Sequence, residues 1–254
     1  MTRVDPCMEG AISGRVFILS LEEQLDALLE QTVHRNPFWI AMRTSPASVP
    51  AAVFWGMCLE NYQILAREAL FDAPVLSFAP HHAVRQALNK FYAEELGHDR
   101  LLMKSLASLG LEEADVRTSI PLPTTWALID ALAYWSRYQP LFFIATLGVL
   151  EGREVAEDAF VLACRQKGLP RAFVAPIESH ARINADGKHG ELSREAFSCV
   201  DLVSPQEQAQ VRELLPLFVS IYDEFYNGIW RHYAHLPEQA APTNTFLRQL
   251  PVTL

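Results

Sequence analysis

The chain has 254 residues, half of them hydrophobic, carries a net charge of −9 and shows no cluster of Lys and Arg. That length can bury one large core or two modest ones, and the acidic balance argues against nucleic acid and anionic membrane surfaces as partners. The longest strongly apolar run, residues 141–150, is too short to span a bilayer, and Arg3, Asp5 and Glu9 interrupt the start where a signal peptide needs an apolar run. Four widely spaced cysteines (Cys7, Cys58, Cys164, Cys199) make no CxxC pair. This argues against a zinc knuckle or a disulfide framework and suits a reducing cytoplasm, the expected location.

Residues 1–19 read as a tail that ends in a short apolar segment, 16–19. Ser20 and Glu23 form a capping box ahead of Leu21, Leu25, Leu28 and Leu29, which predicts a first helix ending near Asn36–Pro37. After a loop bracketed by Pro46 and Pro50, a long helix is predicted over 51–71, broken by Asp72-Ala73-Pro74. The next runs from about Pro80 to a C-cap at Gly110. Pro121 and Pro123 lead into a helix over 125–138, and Pro140 opens another that stops at Gly168 and Pro170. A shorter helix starts near Arg171 and runs into NADGKHGE (184–191), which is rich in turn formers. Ser193 is placed to cap a piece reaching Val200. Ser204-Pro205-Gln206-Glu207 combines an N-cap serine, a proline at the first helical position and a capping-box glutamate, and opens a last helix to about His235. No period-2 strand, hairpin signal or repeat period is visible. The reading is all-α: one domain of seven to nine helices over 20–236, with tails at 1–19 and 237–254.

Within LNKFYAEELGHDRLLMKSLASL (88–109), Leu88, Phe91, Leu102, Leu106 and Leu109 form one apolar stripe at helical period, and Glu95 and His98 fall in the middle of it. A carboxylate facing a core costs several kcal/mol, by order of magnitude, unless it is paired, protonated or bound to a cation. The Glu-x-x-His spacing matches the pairs that helical bundles use to hold iron; a local Glu–His hydrogen bond is the bland alternative. Glu60, in VFWGMCLENYQIL, and Glu151, in FFIATLGVLEG, are lone acids in apolar helical windows, which a polar stripe on a half-exposed helix also explains. In ESHARINADGKHGE, Asp186 and His189 lie three apart and His180 six before Asp186, so the three converge only if the segment bends, as Gly187 and Gly190 permit. The bland alternative there is a surface turn. Together these are four carboxylates and three histidines, a mixed set that suits iron or manganese better than tetrahedral zinc. Cys58 and Cys164 read as buried structural thiols, and His232 and His235 as parts of a core helix.

The order of these motifs resembles the haem-oxygenase-like dinuclear-iron oxidases and oxygenases, which include alkene-forming fatty-acid decarboxylases, amine N-oxygenases and amino-acid-cleaving oxidases. The likeness runs over about 50–235, through Glu60, Glu95-x-x-His98, Glu151-Gly152 and His180…Asp186-x-x-His189. It departs from the family at the last group, where the first gap is two residues longer and Asn184 stands at the usual Asp position; an insertion that bulges the helix would restore Asp186 and His189. Ferritin-like di-iron bundles need two Glu-x-x-His motifs, and this chain has one. An axial haem ligand at His34 would leave Glu95, Glu151 and Asp186 unexplained. The resemblance implies a haem-oxygenase-like bundle and a metal set of Glu60, Glu95, His98, Glu151, His180, Asp186 and His189. It also implies two Fe(II) ions (manganese the alternative) and O2 as co-substrate. The expected activity is N-oxygenation, desaturation or oxidative C–C cleavage of a small acid or amine, with Arg153 a carboxylate partner and a homodimer the default assembly. The alternative is a metal-free thiaminase-like or quinone-cofactor-synthase-like enzyme, or a small-molecule binding protein, on the same fold.

Overall fold

The computed structural model describes residues 9–77, 82–151 and 158–236. The helices in chain order are α1 (Gly14–Gln31), α2 (Pro37–Thr44), α3 (Ala51–Leu65), α4 (Asp72–Val75), α5 (His82–Glu95), α6 (His98–Ala107) and α7 (Glu113–Thr118). They continue with α8 (Pro123–Tyr138), α9 (Pro140–Leu150), α10 (Ala159–Lys167), α11 (Arg171–Gly187), α12 (Leu192–Ser198) and α13 (Pro205–Tyr233). Among the described residues the only extended pairing is an antiparallel bridge of Ile12 with Val203, which ties the start of α1 to the turn before α13. None of the described helices is long and apolar enough to cross a membrane.

The segments outnumber the predicted seven to nine because two long helices divide, because α2 and α7 form in stretches read as connections, and because the helix expected from Pro140 to Gly168 is described as α9 and α10, with 152–157 outside the described residues. The helix expected over 51–71 ends at Leu65. There the Arg67 guanidinium takes the Gln63 carbonyl, the acceptor a continuing helix would give to the Arg67 N–H, and that N–H turns to Ile64 instead. A 3₁₀ turn (Glu68–Leu70) then leads into α4, and Pro74, which has no N–H, could not have sat within an unbroken helix without a lost bond. The helix expected from about Pro80 to Gly110 splits at Gly97, whose φ of 96° only glycine adopts readily.

Two expected caps are also corrected. α1 begins at Gly14, with Ser13 accepting from the Val16 N–H, so the 1–19 tail is shorter than predicted. A Cβ at Gly14 would meet the Phe197 carbonyl at 2.3 Å, a close approach that seats α1 on α12. Ser20 instead donates to the Phe17 carbonyl and accepts from Arg212. Ser193 is no cap either: its hydroxyl donates to the Ile144 carbonyl (2.7 Å) and accepts from the Gly148 N–H (2.8 Å), stitching α12 to α9. The capping box at Ser204 and Glu207 is present as expected and starts the 29-residue α13.

Phe17, Phe38, Phe54, Phe142, Phe143 and Phe218 fill the core. α6 packs on α3 and α11; α13 lies against α1, α3 and α8; α12 joins α1, α5 and α9. The Ser105 hydroxyl donates to the Phe173 carbonyl at 2.7 Å and clamps α6 to α11. Cys58 and Cys164 are buried, as expected, and burial pushes both thiols well above the ordinary range, away from the thiolate form. Three features of this packing matter for the site: the α5–α6 break, the C-terminal end of α9, and the turn that ends α11.

Candidate metal centre

Glu95 ends α5 and His98 begins α6, so the pair flanks the Gly97 turn and does not share one helix face. Both side chains are buried, and His98 Nδ1 lies 2.7 Å from Glu95 Oε2. The other carboxylate oxygen, Oε1, lies 2.8 Å from His189 Nδ1. Burial pushes Glu95 up, but the bonds from His189 and His98 outweigh it and hold the carboxyl at about 2.

His189 arrives by an unexpected route. α11 runs unbroken to Gly187 with no bulge, Lys188 then takes a left-handed conformation (φ 55°), and a 3₁₀ turn (His189–Glu191) turns the imidazole inward. Gly187 makes room for it, since a Cβ there would lie 2.6 Å from His189 Nε2. Nδ1 also faces Glu151 Oε2 at 3.8 Å, and Nε2 faces Glu94 Oε2 at 3.2 Å. Burial would lower this imidazole, yet Glu151 and Glu95 raise it to about 10, so it is an imidazolium among carboxylates. Glu151, at the C-cap of α9, is raised to about 7, by burial first and by Glu95, against the lowering effect of His189.

His180 lies on α11 with its ring 4.8 Å, edge-on, from that of His98. Its Nε2 is buried without a hydrogen-bond partner. Burial first, then His98, lowers it to about 4, so the ring is neutral with a free nitrogen lone pair.

The structure therefore brings together Glu95, His98, Glu151, His180 and His189, and leaves out Glu60 and Asp186. Both oxygens of Glu60 are engaged elsewhere, with the Leu122 N–H at 3.0 Å, the Thr125 hydroxyl at 2.5 Å and the Tyr233 hydroxyl at 2.9 Å. Burial raises its carboxyl, and those bonds oppose the rise. Glu60 thus ties α3 to the starts of α8 and the end of α13. Asp186 is exposed, because on a regular α11 the residue one turn beyond His180 is Asn184. Asn184 points inward and donates to Glu151 Oε2 at 3.1 Å. His34 is exposed and bonded to Glu30 at 2.7 Å. Gly152 and Arg153 lie outside the described residues.

A cavity of about 870 Å³ opens beside this cluster. Glu95, Glu151 and His180 lie in its wall with apolar side chains such as Leu65, Leu128, Leu132 and Leu147. Tyr222 and Tyr226 of α13 line it too, whereas His232 packs edge-on against Tyr233 and is not in the wall. Two further buried acids line the cavity, Glu68 and Asp72, from the break between α3 and α4. Burial raises Glu68 to about 8 and Asp72 well above the usual carboxylate range, with Glu95 and Glu151 adding repulsion to both. Sequence reasoning missed them. They carried the same signal that singled out Glu60, an acid in an apolar window, but the proline after them marked the stretch as a helix end.

The donors form two groups in which one ligand atom from each member lies within 4.8 Å of the others: Glu95, His98 and His180, and Glu95, Glu151 and His189. The groups share Glu95, whose two oxygens point to different histidines. The neutral His180 with its orphaned nitrogen is the form a metal takes, and the mixed nitrogen and oxygen donors match iron or manganese.

A crystal structure from Shewanella denitrificans OS217, described as a domain of unknown function with a heme oxygenase-like fold, superposes with a TM-score of 0.68. The match covers 89% of this chain and 97% of that chain at 18% sequence identity. It shows the fold, all-α and haem-oxygenase-like, as the motif order implied. No curated protein matches the chain. A family profile described as "Iron-containing redox enzyme" matches residues 61–222, more than half of the sequence, and its span takes in both donor groups. With that share of its length matched, the chain belongs to the iron-containing redox enzymes.

Proposed function

We propose that the protein is a non-haem oxidoreductase that holds two Fe(II) ions per chain and uses O2 to oxidise a small acid or amine, by N-oxygenation, desaturation or oxidative C–C cleavage. The observation that carries this reading is the pair of donor groups sharing Glu95, with the orphaned His180 nitrogen in one of them. Glu95, His98 and His180 would hold one ion, and Glu95, Glu151 and His189 the other. Manganese is the alternative metal on the same donors. Bound iron supplies the one-electron chemistry with O2 that no side chain of this protein provides.

The rest falls to the chain's own residues. His189, which Glu151 and Glu95 hold protonated, would have to be neutral to act as a ligand, so metal loading at this group would release a proton. Asn184 fixes the orientation of Glu151 through its 3.1 Å bond. The leucines around the cavity give it an apolar side with room for a carbon chain.

Anaerobic Fe(II) titration of the metal-free protein, then O2 exposure with the visible spectrum recorded, tests the reading. Saturation near two irons per chain with an absorbance change on O2 addition is the expected result. His98→Ala should lose iron and turnover while far-UV circular dichroism stays helical. No iron binding by the wild-type chain, or full turnover in His98→Ala, overturns the proposal.

A further inference from the structure

The buried acids of this protein differ in how their charge is met. Glu22 faces the Arg194 guanidinium at 2.9 and 3.0 Å, Glu60 accepts from three donors, and Glu95 lies between two histidines. Among the described residues neither Glu68 nor Asp72 has such compensation. They are 9% and 5% exposed, both line the cavity, and Glu68 Oε2 is buried without a hydrogen-bond partner. The charges that act on them are acidic: Glu95, Asp99 and Glu151 on Glu68, and Glu151, Glu68 and Glu95 on Asp72. Among the described residues the basic side chains of the cavity wall lie elsewhere. Arg165 is paired with Glu178 at 2.8 Å, and Arg182 and Lys188 are exposed.

We propose that Glu68 and Asp72 are an ammonium-binding pair that holds the cationic nitrogen of an amine substrate in the cavity beside the metal centre. This rests on the reading of that centre as the place of oxidation. Two unpaired buried carboxylates destabilise a fold and are retained where something cationic meets them. The cation is not one of the metals of the cluster, since neither residue joins a group of three donors within 4.8 Å. A divalent ion needs more oxygen donors than two side chains give, whereas an ammonium carries three N–H donors and one charge. The same cavity offers Leu65, Leu128, Leu132 and Phe71 to an attached carbon chain. The pair thus selects an amine over an acid, and sets which end of the substrate lies next to Glu95 and Glu151.

The test is calorimetric binding of n-hexylamine, hexanoate and 1-hexanol to the full chain, both metal-free and loaded anaerobically with Fe(II). Hexylamine should bind at least about ten-fold tighter than either of the others, the scale of a charge-assisted hydrogen bond. Glu68→Gln and Asp72→Asn should each remove that preference. They should leave iron stoichiometry and helical content unchanged, and the metal-free variants should be as heat-stable as the parent or more so. Equal or tighter binding of hexanoate by the wild-type chain overturns the proposal without any variant. Variants that keep the amine preference but lose Fe(II) also overturn it and make the two acids counter-charges to the metals. Amine preference in a chain that binds no iron supports the pair while removing the oxidase reading; iron binding without amine preference does the reverse.

Discussion

Replacing Glu60 with alanine separates an acid that holds the fold from one that holds a metal. The substitution strips the acceptor from the Leu122 N–H, the Thr125 hydroxyl and the Tyr233 hydroxyl at once. A buried donor left without an acceptor costs about 1–3 kcal/mol. Thr125 lies in the first turn of α8 and can swing its hydroxyl to a backbone carbonyl of the preceding turn, so two donors are stranded, for a loss of about 2–6 kcal/mol. Relief of the carboxylate's own burial, which raises its pKa, brings the net to the lower half, about 2–4 kcal/mol. At about 2–4 °C per kcal/mol for a chain of this size, Tm falls by about 4–16 °C. Glu60→Gln keeps one acceptor oxygen and should lose about half as much. Differential scanning calorimetry of the metal-free proteins reads the loss, and anaerobic Fe(II) titration of the same samples should give the wild-type stoichiometry. A Glu60→Gln protein with unchanged Tm and fewer irons per chain would refute the reasoning and return Glu60 to the metal set.

Metal-free protein should become less heat-stable as pH rises from about 6.5 to about 8.5. Glu151 (about 7), Glu68 (about 8) and His189 (about 10) all have raised folded-state pKa values, so the native state holds more protons than the unfolded chain and loses stability as they leave; His180 acts oppositely, but only below the ordinary imidazole range. A Tm that is flat or rising over that interval contradicts this, and saturating Mn(II) should suppress the fall. Gly187→Ala places a Cβ 2.6 Å from His189 Nε2, so the imidazole must move: iron per chain should drop toward one, with Tm of the metal-free protein within about 3 °C of the parent. Asp186→Ala, at an exposed position, should leave iron stoichiometry unchanged by titration, and a loss would restore Asp186 as a ligand.

The fold class was legible because helix signals are local. The Ser204–Glu207 capping box, the proline openings of α8 and α9 and the absence of alternating strands each depend on neighbours within one turn. The same locality explains the errors. Ser20 and Ser193 have cap-like sequence contexts, but their hydroxyls are claimed by Arg212, and by Ile144 and Gly148, which are distant in sequence. Glu95 and His98 were found as polar residues inside an apolar stripe, which needs no tertiary knowledge. Their meeting across a glycine turn, rather than on one helix face, was not visible from spacing alone.

Local patterns along the chain are enough to read an all-α protein with acids and imidazoles set into apolar helix faces, and the order of those residues points to the iron-containing redox enzymes. Which of them converge is set by the packing of the helices. Glu60 and Glu95 each fall within an apolar helical pattern in the sequence, yet one meets a hydroxyl pair and a backbone N–H while the other meets two histidines. Asp186 and Asn184 were ranked by motif, and the unbroken geometry of α11 reversed that ranking. Glu68 and Asp72 entered the cavity because α3 ends early. A polar residue in an apolar segment is visible from its immediate neighbours, whereas the groups it meets come from helices many residues away and are set by packing.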